Sequence, residues 1–188
     1  MRIAKKTAFT LVELSVVLVV IGLLTGAILK GQEIIKSAKL KRIISDFSNI
    51  STAIYTYEDR YNKLPGDDSS SVIGKVLVSN GNEDGVIDGQ ESKFVLRHLR
   101  KAGIISGTAD DNQLGHAFGG NIVIIQGTHQ GAGSMPEMPG TAICFENVEA
   151  EDAGLIDSQN DDGSPKTGAI QADADYTSGK MVTICSEV

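Results

Sequence analysis

The sequence predicts an α+β protein in which one long N-terminal helix packs on a small antiparallel sheet. An apolar run extends from Phe9 to Leu29, and apolar side chains then recur every three or four residues as far as Tyr61. Three short segments rich in β-branched residues follow nearer the C-terminus. A small sheet with one apolar face needs a helix to cover it, and the amphipathic part of the long helix supplies one.

The apolar run is long enough to cross a membrane. Its 21 residues, at a rise of about 1.5 Å each, match the hydrocarbon thickness of a bilayer. Arg2, Lys5 and Lys6 precede the run, and cations in that position favour a cytoplasmic N-terminus with the rest of the chain across the membrane. Secretory signal peptides share this layout with a shorter apolar region of about 7–15 residues. The length of the run alone therefore does not exclude a cleaved signal peptide.

Glu13 is the one charged residue between Phe9 and Leu29. A carboxylate inside a bilayer costs at least about 2.5 kcal/mol, so its presence indicates a function and a partner. The alternative is a glutamate that reaches the headgroup level at the membrane surface. A positive charge at the same depth on a neighbouring molecule would be a suitable partner. A free amine on Phe9 provides one if the chain is cut after Ala8.

The segment Thr7–Leu14, TAFTLVEL, and the apolar helix after it resemble the processing site of type IV prepilins and type II secretion pseudopilins. The resemblance implies that prepilin peptidase cuts between Ala8 and Phe9 and that Phe9 is then N-methylated. It also implies that Glu13 neutralises the amine of an adjacent subunit, and Gly22 matches a glycine common in this helix. Ala8 replaces the usual glycine, and the proline often found near the position of Lys30 is missing.

The resemblance implies a structural subunit of a type IV pilus or a type II secretion pseudopilus. Its partners would be other subunits of a homo- or hetero-oligomeric filament, prepilin peptidase and an inner-membrane assembly platform. The chain would divide into a leader (1–8), a transmembrane and filament-core helix (9–29), an amphipathic half of that helix (30–64) and an acidic head (65–188). The subunit would cross the inner membrane once with its head in the periplasm, and the filament would lie in the periplasm or at the cell surface.

There are three alternatives to a main filament subunit. The first is a minor pilin whose head recognises a secreted protein or a surface, which the abundance of the chain in sheared filaments would distinguish. The second is an ordinary secreted protein whose signal is cut near Ala27. The third is an enzyme, for which the sequence offers neither a Ser/His/Asp or Cys/His arrangement nor a phosphate-binding loop.

The predicted helix runs from Phe9 to Arg60 and ends before a turn at Pro65. Its second half carries an apolar stripe with spacings of three and four, which favours packing on a sheet over a coiled-coil stalk because the stripe stops at Tyr61. The stripe consists of Leu40, Ile43, Phe47, Ile50, Ile54, Tyr57 and Tyr61. A short helix is predicted over Ser92–Ala102 and a surface loop over Glu149–Asp175. The three predicted strands are Asn121–Gln126, Thr141–Glu146 and Lys180–Ser186.

Charge is divided unequally along the chain. Residues 1–65 hold 10 Lys and Arg against 5 Asp and Glu, whereas residues 66–188 hold 7 against 19. A head with this acidic excess repels phosphate backbones, which argues against nucleic-acid binding by the head. The excess would attract divalent cations or basic partners, or it would simply keep the head soluble.

The two cysteines, Cys144 and Cys185, lie in the second and third predicted strands. In an oxidising compartment a disulfide between them is the default expectation. The three histidines are scattered and no Cys-x-x-Cys motif is present, so the sequence gives no support to a zinc site.

Residues 80–91 fit the template of an EF-hand calcium loop, with Gly85 at the sharp turn. Side-chain oxygens would come from five residues and a main-chain carbonyl from a sixth. The candidate ligands are Asn80, Asn82, Asp84, Val86 (main chain), Asp88 and Glu91. Some pseudopilins carry a structural calcium, so the family resemblance favours this interpretation. The alternative is a surface turn that binds nothing.

Overall fold

Three helices and four strands make up the described part of the chain. The computed structural model describes residues 9–69, 81–108, 111–126 and 138–188. Two compact units are present, one ending at Lys39 and the other running from Leu40 to Val188. The elements are α1 (Leu11–Tyr61), α2 (Ser92–Lys101), β1 (Ile122–Gln126), β2 (Thr141–Glu149), α3 (Ala150–Asn160), β3 (Ile170–Ala172) and β4 (Met181–Glu187).

The long helix α1 confirms the predicted helix to within two residues at its start and one at its end. It ends where Asn62 adopts a left-handed conformation with φ of 55° and donates its N–H to the Glu58 carbonyl at 2.7 Å. Pro65 follows and cannot continue a helix. Among the described residues, α1 is the one helix that is long and apolar enough to cross a membrane, judged by length and composition.

The apolar stripe of α1 forms one side of the core in the second unit. Six of its seven predicted members are buried and Tyr61 is half-buried, while Ala53 joins them. The rings of Phe47 and Phe145 lie 4.3 Å apart between centroids. Each fully buried Leu, Ile or Phe contributes about 1.5–3 kcal/mol to stability, so this contact between helix and sheet is substantial.

The four strands form an antiparallel sheet in the order β1-β2-β4-β3. Alternate residues along a strand point to opposite faces. Ile124 and its partner Ile143 therefore belong to the core that contains α1, whereas Ile125 and its partner Ala142 belong to a smaller buried cluster. The three predicted strands are confirmed, and β3 is an additional strand at the edge of the sheet.

The predicted surface loop over Glu149–Asp175 is wrong, because it contains helix α3 and strand β3. The helix buries Ala150, Ala153 and Ile156, whose spacing of three residues is helical. The composition did not indicate this helix because two of its buried residues, Asp152 and Asp157, are acidic and would be expected at the surface. The Tyr176 hydroxyl donates to Asp157 at 2.6 Å, so that carboxylate is accommodated by a contact that the local sequence does not predict.

His98 connects α2 to the turn after α1. Its Nδ1 accepts the N–H of Gly66 at 2.9 Å, which requires an unprotonated nitrogen, and its side chain is fully buried. Burial lowers the pKa of His98 to about 4; the charge of Asp68 opposes this shift, while those of Arg97 and Lys101 add to it. The folded head therefore holds a neutral histidine whose charged form the unfolded chain tolerates.

Acid is expected to destabilise the head between the ordinary pKa of 6.5 and the folded value of about 4. The folded pKa is depressed, so the stabilisation is complete above the unfolded pKa and is lost as pH falls through this window. The unfolding equilibrium should shift by up to about tenfold per pH unit. Urea unfolding of the detergent-solubilised chain would measure this shift. His98→Gln, which keeps an acceptor but does not titrate, should remove most of the dependence in this window, and an unchanged slope would contradict the assignment.

Candidate functional site

The N-terminal end of α1 carries the residues that the resemblance assigns to processing and assembly. Ala8 lies outside the described residues. Phe9 is 80 % exposed and α1 begins two residues later. The apolar side chains of Leu11–Leu29 are exposed along the helix.

Glu13 forms a capping box with Thr10 at the start of α1. The N–H and the hydroxyl of Thr10 each donate to Glu13 Oε2 at 2.9 Å. The Glu13 N–H donates in return to the Thr10 hydroxyl at 3.2 Å. This reciprocal pair satisfies two N–H groups that the helix leaves free, and a carboxylate is favourable at a helix N-terminus. Glu13 thus has a local role that the sequence analysis missed, although the spacing Thr-x-x-Glu before an apolar run signals it.

Gly22 lies in the exposed apolar part of α1. A Cβ added there would meet nothing within 4 Å, and the same holds for Gly26, four residues later. Small residues spaced by four let two helices approach closely in a membrane. The glycine therefore serves no packing purpose within the described chain.

The loop at 81–91 brings together two of the six predicted calcium ligands. Oxygens of Asp84 and Glu91 lie with one of Asp67 inside a group whose members are all within 4.8 Å of one another. Asn82 accepts the Asp84 N–H at 2.8 Å, and Asp88 accepts the N–H groups of Gln90 and Glu91 at 2.6 and 2.9 Å.

The other predicted ligands differ in how they relate to this group. Asp88 is not a member of it, and its side chain accepts N–H groups at the entry to α2. Asn82 contacts the group, because its side-chain amide donates to Asp84 Oδ2 at 2.9 Å and its N–H donates to Glu91 Oε1 at 3.0 Å. The Val86 side chain is exposed, and its N–H donates to Asp84 Oδ1 at 2.9 Å. Asn80 lies outside the described residues.

Asp67 is the ligand candidate that the sequence analysis missed. It belongs to the turn after α1, and its carboxylate accepts the N–H of Asp84 at 3.2 Å and that of Gly85 at 2.8 Å. Gly85 has φ of 84°, a conformation that favours glycine. A Cβ on Gly81 would lie 1.8 Å from the Asp67 carbonyl oxygen. The two backbones are therefore closer together than any residue with a side chain at position 81 would allow.

The three carboxylates concentrate negative charge in a partly buried place. Asp67 and Glu91 are 4 % and 3 % exposed, whereas Asp84 is exposed. Burial raises the pKa of Glu91, and the charges of Asp67 and Asp88 add to this shift. Hydrogen bonds from the N–H groups of Asp88 and Asn82 oppose it. A hard cation would relieve this repulsion, because calcium prefers carboxylate and carbonyl oxygens.

Lys63 ties the same turn to the loop through an ion-pair network. Its ammonium lies 2.6 Å from Glu83 Oε1 and 3.3 Å from Asp68 Oδ1. The hydrogen bond to Glu83 is the main cause of the raised pKa of Lys63 and of the lowered pKa of Glu83. The Tyr57 hydroxyl donates to the second oxygen of Asp68 at 2.8 Å. The buried Asp68 is thus balanced by its own partners, and the turn that presents Asp67 is fixed to α1.

A second acidic group, Asp157, Asp161 and Asp162, follows α3. Gly163 N–H donates to Asp157 at 3.0 Å, and Ile170 N–H donates to Asp161 at 2.8 Å. Asp162 accepts the Ser164 N–H and the Thr167 hydroxyl, which lower its pKa. These contacts shape the turn between α3 and β3.

The predicted disulfide between Cys144 and Cys185 is present. The two residues face each other directly across β2 and β4, and both are fully buried. The bond therefore joins neighbouring strands that are 41 residues apart in the sequence.

Comparisons with protein-family models, with curated proteins and with solved structures gave no match. The resemblance to pilins therefore depends on the residues around Phe9 and Glu13. The fold is compatible with that resemblance, since a long apolar N-terminal helix precedes a small antiparallel sheet.

Proposed function

We propose that the chain is a pilin-like filament subunit, anchored by α1 in the inner membrane before assembly. One observation carries the proposal. A single continuous helix is apolar and exposed over Leu11–Leu29, with Glu13 as its one charge, and buries one face in the head core between Leu40 and Tyr57. Anchor and head therefore share one helix, so helices packed side by side would carry their heads along a filament.

The same observation argues against a discarded signal peptide. A cut near Ala27 would fall inside α1, with no break in the helix at that point. The exposed apolar residues continue past the cut to Ile34 and Ile35, which would leave an apolar helical end on a secreted protein. A filament core or a membrane would cover those side chains.

The mature N-terminus tests the proposal. Mass spectrometry of the purified chain should find N-methylated Phe9 as its first residue, whereas a start near Ile28 would overturn the proposal. Ala8→Gly restores the usual residue of the family and should process at least as well as the natural sequence. Ala8→Leu, matched in position but bulky, should accumulate the unprocessed chain in the membrane.

The disulfide supports a periplasmic head, because such bonds persist in oxidising compartments and are rare in the cytoplasm. The three cations of the leader favour the same orientation, but they are opposed by five cations between Lys30 and Arg42.

Prepilin peptidase and an inner-membrane assembly platform are the partners that this proposal requires. An acidic head repels phosphate backbones, so nucleic acid is not among the proposed partners of the head.

We also propose a weakly bound structural calcium held by Asp67, Asp84 and Glu91. Two buried carboxylates and one exposed carboxylate within 4.8 Å suit a hard cation. Their oxygens already accept backbone N–H groups, which offsets part of their charge and limits the affinity. Bound calcium would hold the turn after α1 against the 81–91 loop.

Calcium at about 5 mM, above the weakest dissociation constants of extracellular modules, is expected to raise the melting temperature of the solubilised chain relative to a chelator. A gain of about 1 kcal/mol corresponds to a concentration several times the dissociation constant. Asp84→Asn should abolish the response, since Asp84 is the exposed member and its loss disturbs the core least. Asp162→Asn, in the second acidic group, is the matched control and should respond normally. If calcium leaves the melting temperature of the natural chain unchanged, the proposed calcium site is wrong.

A further inference from the structure

We propose that His98, in α2, positions Asp67 for calcium binding through a hydrogen bond to the backbone of Gly66. The inference rests on the calcium site proposed above and adds a residue that is not itself a proposed ligand. It is carried by the contact between His98 and Gly66, by the close packing around Gly66 and by an unsatisfied nitrogen on the same histidine ring.

Gly66 directly precedes Asp67 and is held closely against α2. Its N–H donates to Nδ1 of His98 at 2.9 Å. Its φ is 104°, and a Cβ there would lie 2.8 Å from Cγ2 of Val95 and 3.1 Å from the Glu91 carbonyl oxygen. A position with so little room and a positive φ favours glycine. The backbone before Asp67 therefore lies against the residue that supplies another carboxylate of the proposed site.

The residue that follows Asp67 is fixed to a different helix. The Tyr57 hydroxyl, on α1, donates to Asp68 Oδ2 at 2.8 Å. Asp67 thus lies between one neighbour anchored to α2 and one anchored to α1. Glu91 is the residue at which α2 begins, so the anchor on α2 is the one that relates the position of Asp67 to that of Glu91.

The buried ring of His98 has a hydrogen-bonding cost of its own. Because Nδ1 accepts, the neutral ring carries its proton on Nε2. Nε2 is buried and has no hydrogen-bond partner among the described residues, and an unsatisfied buried donor is destabilising. Leucine at this position would exchange that unsatisfied donor for another, the N–H of Gly66. Folding stability therefore gives little preference for histidine, whereas the fixed position of Gly66 does.

Urea unfolding of the detergent-solubilised full chain at increasing calcium concentrations separates calcium affinity from stability. The midpoint in chelator reports the stability of the fold, and its rise with calcium gives the dissociation constant. His98→Leu removes the acceptor and should raise the dissociation constant about fivefold, the factor that corresponds to one net hydrogen bond. Its midpoint in chelator should stay close to that of the natural chain.

His98→Asn makes the opposite change. Asparagine keeps an oxygen acceptor near the position of Nδ1 but is smaller than histidine, so it leaves a cavity and should lower the midpoint in chelator. Its dissociation constant should nevertheless stay within about twofold of the natural value, since the hydrogen bond is kept. The leucine variant should thus be the more stable of the two and the weaker binder. If His98→Leu binds calcium like the natural chain, or if affinity follows stability among the three chains, His98 does not position the site.

His116 offers a matched control. It is also buried, and its Nδ1 accepts the N–H of Phe118 at 3.3 Å. Its Nε2 lies 2.7 Å from the Glu146 carbonyl oxygen. His116→Leu should therefore lower the midpoint in chelator and leave the dissociation constant for calcium unchanged. An equal loss of affinity in this variant would overturn the inference, because the effect would then not be specific to Gly66.

Hydrogen exchange of the natural chain tests the same coupling without a variant, so the test does not depend on whether the variants fold. Coupling between two equilibria is reciprocal. Calcium should therefore slow the exchange of the Gly66 N–H by about fivefold more than that of the Phe118 N–H. Equal effects at the two positions, in a chain whose midpoint rises with calcium, would overturn this inference alone. A midpoint that does not rise would overturn the calcium site as well, whereas the filament proposal is tested separately by the mature N-terminus.

Discussion

Glu13→Gln is expected to abolish filament assembly while the leader is still removed and the chain remains in the membrane. The substitution is informative because Gln is also favoured at this position of a capping box. The amide oxygen can still accept from Thr10, whose N–H and hydroxyl lie 2.9 Å from Glu13 Oε2. The helix start is therefore preserved and the charge alone is removed.

The expected loss follows from the cost of charge in lipid. A carboxylate within the span is unfavourable by at least about 2.5 kcal/mol, and a neighbouring N-terminal amine would recover that energy when the subunits pack. Without the carboxylate, the amine of the neighbour would be left uncompensated in an apolar core. We therefore expect the sheared-filament fraction to fall more than about tenfold, since each 1.4 kcal/mol is a factor of ten.

Two controls separate charge from helix capping. Thr10→Ala removes the side-chain hydroxyl of the capping box but keeps the carboxylate, so it should reduce assembly far less than Glu13→Gln. Glu33→Gln removes an exposed acid of the same helix beyond the span and should assemble normally. If Glu13→Gln assembles like the natural chain, Glu13 acts only as a cap, and α1 is a plain anchor as far as this residue is concerned.

The long helix and its buried stripe could be predicted because the information is local. Helical spacing from Leu40 to Tyr57 repeats over several turns, and hydrophobic burial overrides weak residue preferences. The strands β2 and β4 were likewise predictable from β-branched runs that include Cys144 and Cys185. In each case the residues that form one buried face lie close together in the sequence.

Helix α3 and the cluster at Asp67 could not be predicted in this way. Asp157 is buried because Tyr176, nineteen residues later in the chain, donates to it. Asp67 meets Asp84 because the backbone of Gly81 approaches the turn after α1. These contacts depend on the tertiary fold, so the local composition suggested a loop in the first case and gave no signal in the second. The calcium template also placed ligands by spacing alone, whereas Asp88 serves the entry to α2.

Removing the disulfide by Cys144→Ala/Cys185→Ala is expected to lower the free energy of unfolding of the head by about 4 kcal/mol on the chain-entropy model. The bond closes a loop with a sequence separation of 41 residues, and its loss enlarges the unfolded ensemble. Alanine leaves no unpaired polar atom in the buried cluster formed with Ile125, Met138 and Ala142. The pairing of β2 with β4 should persist through Phe145 and Ile184.

Denaturant unfolding of the solubilised chain would measure the change. Thr183→Ala alters a half-buried side chain of the same strand without touching the bond and should cost much less. Reductant alone should act slowly on the natural chain, because both sulfur atoms are in fully buried residues and exchange requires access. A difference below about 1 kcal/mol between the natural and double-alanine chains would show that the bond does not stabilise the head as the entropy model requires.

Temperature should separate this variant from Glu13→Gln. The double-alanine chain keeps Glu13 and the apolar span, so its assembly should fail only where the weakened head unfolds. A loss of about 4 kcal/mol is a large part of the 5–15 kcal/mol that stabilises an ordinary domain, and cooling below the lowered melting temperature should restore filaments. Glu13→Gln leaves the head unchanged, so cooling should not restore its assembly. Recovery of both variants on cooling would contradict the proposed contact, because the assembly defect of Glu13→Gln would then follow from lost stability.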